Sequence, residues 1–131
     1  MKFSLLSAAL DLTLATALSA ETLDEYLWEK RPFVVFADTP KDLLFIRQME
    51  LLEAGKDELV ARDVVILTDT NSAKISPLLK KLRPRGFQLA LIGKGGKVKL
   101  RKPRPWTVRE LSSVIDKMPM RQQELKQSWE R

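Results

Sequence analysis

Three stretches of the chain are almost continuously apolar. Residues 33–37 read Phe-Val-Val-Phe-Ala, and residues 64–67 and 87–92 are similarly rich in branched and aromatic side chains. Short apolar runs of this kind are typical of strands buried on both faces of a sheet. The pattern therefore predicts three interior strands, of which the third is the most central.

A fourth stretch, residues 97–101, alternates charged and apolar side chains, as a strand with one face in water does. Gly93, Gly95 and Gly96 precede it and predict a tight hairpin turn at positive φ. A phosphate-binding loop would need Ser or Thr and then a helix at this point. Val98 and a strand follow instead, which favours the hairpin with the fourth strand at the sheet edge.

Helical periodicity fills the gap between the first two strands. Apolar residues recur every three or four positions over residues 41–62, which predicts one long helix that Gly55 breaks or bends. Asp38 or Thr39 is expected to cap this helix, with Pro40 in its first turn.

Three shorter helices complete the pattern. Residues 75–82 carry an apolar stripe, and Thr107 with Glu110 forms a capping box ahead of the next helix. Thr22 with Glu25 has the same spacing, which predicts a short helix that begins after Thr22.

The last residues form a separate case. Pro119 is expected to start a terminal helix in which Leu125 and Trp129 share one face. This face either packs back or meets a partner, and the sequence leaves both open. Trp28, Trp106 and Trp129 lie far apart in the sequence and are interpreted as packing groups, not as a stacking surface for nucleic acid.

The order of elements predicts an α/β fold with one mixed four-stranded sheet flanked by helices. With the strands numbered in chain order, right-handed connections give the spatial order β2-β1-β3-β4, with β1, β2 and β3 parallel and β4 antiparallel at the edge. Residues 21–131 are expected to form a single domain, with a core over about residues 22–121 and a tail at residues 122–131.

Residues 1–20 have the character of a secretory signal. A single Lys precedes an apolar stretch that ends in small residues, so cleavage is expected near Ala20. Asp11 interrupts the apolar stretch, and a retained membrane anchor and an amphipathic helix remain alternatives. The interpretation places the protein in the periplasm or outside the cell, and not in the membrane after cleavage.

The composition excludes several kinds of chemistry. The chain contains no cysteine and no histidine, so it lacks a thiolate nucleophile, a dithiol couple and the commonest metal ligand. No cofactor or metal site is predicted. Asp38 and Asp42 are the candidate catalytic carboxylates, although helix capping and solvation explain them better.

Charge is divided unevenly along the chain. Residues 21–70 contain 12 acidic and 6 basic side chains, whereas residues 71–131 contain 16 basic and 4 acidic ones. An anionic polymer of the cell envelope or the extracellular space, or an acidic protein, is the expected partner, and nucleic acid is not. Protection of the sheet edge by lysines is the alternative that needs no ligand. The candidate anion-binding residues are Lys94, Lys97, Lys99, Arg101, Lys102 and Arg104.

Two motifs resemble a family of small exported domains of unknown function. Leu-Ile-Gly-Lys-Gly-Gly-Lys-Val-Lys-Leu occupies residues 91–100, and Val-Ile-Asp-Lys-Met-Pro-Met-Arg occupies residues 114–121. Related domains occur in sushi-repeat-containing and coiled-coil-domain-containing secreted matrix proteins. The resemblance spans about residues 22–127 and implies a thioredoxin-like fold.

The resemblance also implies what the chain has lost. In thioredoxins the redox Cys-x-x-Cys lies after the first strand, where this chain has Thr-Pro-Lys-Asp at residues 39–42, and Gln88 stands near the position of their cis-proline. A non-catalytic binding or structural module is therefore expected. An enzyme that uses Asp38 and Asp42 and a self-associating structural domain are the alternatives.

Overall fold

A computed structural model describes residues 20–71, 77–82 and 84–130 of the chain. The expected signal at residues 1–20 lies outside this part, apart from Ala20. The helices are α1 (Ala20–Glu25), α2 (Leu43–Ala54), α3 (Lys56–Ala61), α4 (Pro77–Leu82), α5 (Val108–Asp116) and α6 (Pro119–Trp129). The strands are β1 (Arg31–Phe36), β2 (Val64–Asp69), β3 (Gln88–Ile92) and β4 (Val98–Lys102).

The four strands form one mixed sheet in the order β2-β1-β3-β4, which confirms the predicted order. β1 and β2 are parallel, and β4 is antiparallel to β3 at the edge. The predicted direction of β3 is wrong, because β3 runs antiparallel to β1. Phe36 at the end of β1 pairs with Gln88 at the start of β3. An evenly apolar strand looks the same in either direction, so the pattern could not reveal this reversal.

The long helix expected over residues 41–62 is two helices, separated at Gly55 as the alternative within that prediction allowed. Its cap is neither Asp38 nor Thr39. The Asp42 side chain accepts hydrogen bonds from the backbone N–H groups of Leu44 and Phe45, at 2.8 and 3.2 Å. The first turn therefore begins after Pro40 and not at it.

The two predicted capping boxes have different outcomes. Thr107 and Glu110 form one at the start of α5, as predicted. Thr22 and Glu25 do not mark a helix start, because both lie within α1. The helix that Pro119 was expected to start is α6.

Apolar side chains cover both faces of the sheet. On one face, Phe33, Leu89 and Leu91 pack with buried residues of the helices α2, α3 and α5. On the other face, Val34 and Ala90 belong to a smaller cluster that includes Leu23 and Leu82, among others. The alternation along β1 and β3 therefore sends side chains into two cores, as predicted for strands buried on both sides.

The β3–β4 hairpin turns at Gly96, which has a φ of 90°. Gly93 and Gly95 do not adopt positive φ, so the expectation of left-handed backbone there is wrong. The lysine side chain of Lys99 lies across Gly93, where an added Cβ would come within 2.8 Å of its Cε. The end of this flexible side chain can move aside, so the contact alone does not require glycine at that position.

The interpretation of the tryptophans as packing groups is confirmed only for Trp106, which packs against the core. Trp28 and Trp129 are 62% and 80% exposed. Leu125, by contrast, is half-buried.

No helix within residues 20–71, 77–82 and 84–130 combines the length and apolar character needed to cross a bilayer.

Candidate functional site

The carboxyl end of β1 is where the redox site of a thioredoxin would lie. Thr39 and Lys41 occupy the turn there, and the Lys41 backbone N–H donates to the Thr39 hydroxyl at 3.2 Å. Asp42 uses its carboxylate as the helix cap, and Asp38 is exposed. Gln88 begins β3 beside this loop, in register with Phe36. Thr39 therefore stabilises the turn and Asp42 caps the helix. None of the side chains named here is arranged for thiol chemistry.

The opposite end of the sheet holds a cluster of charges around Lys94, in the β3–β4 turn. The Lys94 ammonium donates to Asp63 Oδ2 at 2.8 Å and to Glu124 Oε2 at 2.7 Å. Its backbone oxygen accepts a hydrogen bond from the backbone N–H of Trp28 at 2.7 Å. Lys94 is only 9% exposed. It thus links four separate segments of the chain at one point.

Arg31, the first residue of β1, lies in the same cluster and is 1% exposed. Its Nη1 donates to the Arg62 backbone oxygen at 2.8 Å and its Nη2 to Glu124 Oε2 at 3.1 Å. Its Nε is buried and has no hydrogen-bond partner. A buried N–H without a partner costs free energy, which is why most buried donors in proteins are paired. The Arg31 guanidinium is an exception to this rule.

A second group of ion pairs extends the cluster along α5 and α6. Arg62 contacts Asp116 at 2.9 Å and Glu58 at 2.8 Å. Arg121 contacts both Asp116 and Glu124 at 3.4 Å. We call the eight residues the Lys94 network: Arg31, Glu58, Arg62, Asp63, Lys94, Asp116, Arg121 and Glu124. Four cations and four carboxylates balance within it.

The network favours the ionised forms of Asp116 and Glu124. Hydrogen bonds from Arg62 are the main reason that the pKa of Asp116 is lower than usual. Burial opposes ionisation of Glu124, but hydrogen bonds from Lys94 and Arg31 outweigh it and lower the pKa of that carboxyl. The same contact with Asp116 raises the pKa of Arg62.

No set of three or more acidic side chains suited to a metal ion occurs among the residues that the structure describes.

Two residues beside Lys94 adopt left-handed backbone without being glycine. Trp28 has a φ of 68° and Asp63 a φ of 57°. Aspartate tolerates this conformation, but a bulky aromatic residue rarely adopts it. Strained backbone of this kind persists where surrounding contacts enforce it, and it is common at functional sites. Here the backbone N–H of Trp28 donates to the backbone oxygen of Lys94, and this bond holds Trp28 beside the hairpin.

A cleft of about 230 Å³ opens next to this indole. We call it the Trp28 cleft. Its residues are Trp28, Arg31, Gly93, Lys94, Gly95, Lys97, Lys99, Met118, Pro119 and Met120. The lining contains four cations and no carboxylate. The charges of Arg31 and Lys94 are balanced within the Lys94 network, whereas Lys97 and Lys99 are exposed on the wall.

The structure gives the six candidate anion-binding residues different surroundings. Lys94 lies inside the network, and Lys97 and Lys99 flank the cleft. Arg101 donates to the backbone oxygen of Leu82. Among the ion pairs of the described residues, Lys94 is the one of these four whose charge carboxylates balance.

The last two of the six candidates lie beyond Arg101. Lys102 stands opposite Leu89 in the sheet, with its ammonium 5.3 Å from the centre of the Trp106 ring. Arg104 is exposed in the segment that leads to α5.

Sequence reasoning missed most of the Lys94 network. Arg31 lies outside the strand predicted at residues 33–37, although it begins a fully buried strand. Glu124 was assigned to a tail, although it contacts residues of the first strand and the hairpin. The two motifs of the resemblance offered a signal, because residues 91–100 contain Lys94 and residues 114–121 contain Asp116 and Arg121. The motifs meet in this network.

Comparison with known families gives a match over residues 22–124, to the family described as "Domain of unknown function (DUF4174)". The chain belongs to this family. The match begins in α1 and ends at Glu124, so it includes every residue of the Lys94 network. None of the curated proteins compared with this DUF4174 chain matches it.

Solved structures with a similar fold include two Plasmodium proteins. The reduced 2-Cys peroxiredoxin of Plasmodium vivax superposes with a TM-score of 0.56 at 17% identity, over 72% of this chain and 80% of that one. Thioredoxin peroxidase I of Plasmodium yoelii gives 0.53 at 17% identity, over 72% and 75%. At this identity the likeness shows the fold alone. The DUF4174 domain is thioredoxin-like, and the chain contains no cysteine.

Proposed function

We propose that this DUF4174 protein is an exported binding module that uses a thioredoxin-like fold as a scaffold without thiol chemistry. The observation that carries the proposal is the distribution of functional groups over the sheet. The carboxyl end of β1 offers a turn and a helix cap, whereas the amino end carries the Lys94 network and the Trp28 cleft. Lys97 and Lys99, which are exposed at the wall of that cleft, lie at the second end.

Export rests on the signal-like residues 1–20 and on the resemblance of the two motifs to domains of secreted matrix proteins. The expected site of action is the cell envelope or the space outside it.

The partner is proposed to be anionic. Lys97 and Lys99 are exposed and adjacent on the hairpin, and among the ion pairs of the described residues neither has a carboxylate. Their charges therefore add to a network that is already neutral. Exposed cations attract a polyanion, with an affinity that falls as the salt concentration rises.

Retention on a polyglutamate column tests this proposal. We expect Lys97→Glu combined with Lys99→Glu to elute at clearly lower salt than the unchanged protein. Lys80→Glu combined with Lys81→Glu is the matched control, since both lysines are exposed on α4 and the net charge changes equally. Equal losses for the two double variants would show attraction by net charge alone, and the hairpin would not be a site.

Self-association is the second candidate function, because the exposed Trp129 and half-buried Leu125 share a face of α6. Light scattering over a wide concentration range tests it. A mass that rises with concentration in the unchanged protein, and not in Trp129→Ser, would favour this function.

A further inference from the structure

The Trp28 cleft combines features that together select one class of ligand. This inference rests on the proposed binding function and names the chemical group that the site recognises. Its first element is positive potential without a competing carboxylate in the lining. Lys97 and Lys99 supply exposed charge at the wall, so an anionic group is favoured there over a neutral or cationic one.

The second element is a set of hydrogen-bond donors that the protein leaves unused. Met118 is the N-cap of α6 and offers no side-chain hydrogen bond, so the first turn of this helix is uncapped. The backbone N–H groups of Met120 and Arg121 belong to that turn and precede the first intrahelical bond, which Gln122 donates to Met118 at 2.9 Å. An eleven-residue helix attracts anions at such an end.

The third element is independent of the helix. Arg31 lines the cleft, is 1% exposed, and has a buried Nε without a hydrogen-bond partner. A buried donor left unpaired costs free energy, and a ligand oxygen or an ordered water that reaches it recovers that cost. The unpaired donor is thus a second feature, independent of the helix, that favours an oxygen-bearing ligand in the cleft.

The fourth element is apolar. The Trp28 indole lies over Gly95, where an added Cβ would be 3.4 Å from Cζ3. Met118, Pro119 and Met120 form the other side of the cleft. An inorganic anion would leave these groups without a partner, whereas an attached apolar group would cover them.

The volume sets the size of that apolar group. At about 230 Å³ the cleft is smaller than the pockets of about 300–1,000 Å³ that hold drug-sized ligands. It suits a group of the size of one amino-acid side chain. We propose that the Trp28 cleft binds a carboxylate that carries one such apolar group. The carboxylate lies between Lys97, Lys99 and the first turn of α6, and the apolar group lies against Trp28.

The probe for this proposal is N-acetyl-leucine, followed by the NMR shift of the Trp28 indole N–H in the full protein. The matched probes are N-acetyl-leucinamide, which lacks the charge, and acetate and inorganic phosphate, which lack the apolar group. We expect saturable binding of N-acetyl-leucine and at least tenfold weaker binding of the other three. Equal binding of the acid and its amide would overturn the proposal.

Variants show where the probe binds, with calorimetry as the readout where the indole is removed. Trp28→Asn removes the indole while keeping a residue that tolerates positive φ, and Trp28→Phe restores an aromatic ring. We expect at least a tenfold loss of affinity in Trp28→Asn and in Lys97→Gln combined with Lys99→Gln, with partial recovery in Trp28→Phe. Lys80→Gln combined with Lys81→Gln should bind normally. Unchanged affinity in both cleft variants would assign the probe to another surface and contradict the proposal.

A peptide arm identifies the source of the carboxylate. Acetyl-tetraalanyl-leucine with a free carboxyl terminus is compared with the same peptide amidated. Tighter binding of the free peptide than of N-acetyl-leucine identifies a chain terminus as the ligand, and the reverse identifies a free small acid. Retention on polyglutamate that depends on Lys97 and Lys99, without binding of any carboxylate probe, would overturn this inference and leave the proposed function standing.

Discussion

Gln48 shows how much one buried polar side chain contributes to this fold. It is 0% exposed on α2, and its amide forms two hydrogen bonds of 2.9 Å with the backbone N–H and oxygen of Trp106. The Gln48 side chain thus satisfies the backbone of the segment ahead of α5 in the way that a neighbouring strand would. This segment runs through Pro103 and Pro105, which restrict its backbone.

Replacing Gln48 by Met is expected to destabilise the protein by about 2 kcal/mol, because two partly buried backbone groups of Trp106 lose their partners. Urea denaturation measures the difference. Gln127→Met is the control, since Gln127 is exposed on α6, and it should change stability by less than about 0.5 kcal/mol. A Gln48→Met protein as stable as the unchanged one would show that water replaces the lost hydrogen bonds.

Gly55 lies between α2 and α3, and a close contact, not its φ of −122°, favours glycine there. An added Cβ would lie 2.6 Å from the Val108 Cβ. Gly55→Ala is therefore expected to cost about 1–3 kcal/mol through overpacking against α5. Gly95→Ala makes the same chemical change where the nearest atom is 3.4 Å away, and its urea midpoint should stay close to that of the unchanged protein. Similar losses in both variants would point to a general effect of glycine replacement.

These residues also show what the sequence could and could not predict. The buried strands and the Thr107 cap were predictable, because apolar runs and cap spacings are local signals. Gln48 in an amphipathic helix looks like a surface residue, and Arg31 ahead of a buried strand looks like a helix end. Their partners, Trp106 and Glu124, are 58 and 93 positions away. Only the folded chain brings such pairs together, so local patterns in the sequence could not predict the contacts of the Lys94 network.

At the scale of elements, α6 differs from the other long helices in how it is attached. It contributes no buried residue, whereas α2 and α5 each contribute side chains to the core. Glu124 and Arg121 instead join it to β1, the hairpin and α5 through ion pairs. The boundary expected between core and tail at residue 121 falls inside this helix. Charge, more than apolar packing, therefore holds α6 and its side of the Trp28 cleft in place.

Glu124→Gln is expected to release α6, because it removes the negative charge that Lys94 and the buried Arg31 share. Leaving a buried charge without its partner costs on the order of 3 kcal/mol. Hydrogen exchange over residues 119–129 should become faster while β1 and β3 remain protected. Glu130→Gln, at an exposed position of the same C-terminal segment, is the control. Unchanged exchange in Glu124→Gln would show that apolar contacts suffice to hold the helix.

At the scale of the whole molecule, the two ends of the sheet have different roles. The connection that follows β1 is a short turn and a helix cap. At the amino end, one residue of the hairpin contacts the segment after α1, the turn before β2 and the last helix. Both motifs of the sequence converge there. The fold places its most interdependent residues at the end that a redox protein of this fold does not use.

Acid should lower the stability of the protein first at the amino end of β1, where the Lys94 network lies. The pKa values of Asp116 and Glu124 lie below their ordinary values of 3.8 and 4.5 in the folded state. The stabilisation from these carboxylates is therefore present above those ordinary values and is lost as the pH falls through the lower folded-state values. Urea midpoints should drop between about pH 5 and pH 2. The drop should be smaller in Asp116→Asn, and Asp57→Asn, at an exposed position of α3, should leave it unchanged. An equal drop in all three proteins would assign the acid sensitivity to general charge repulsion and not to the Lys94 network.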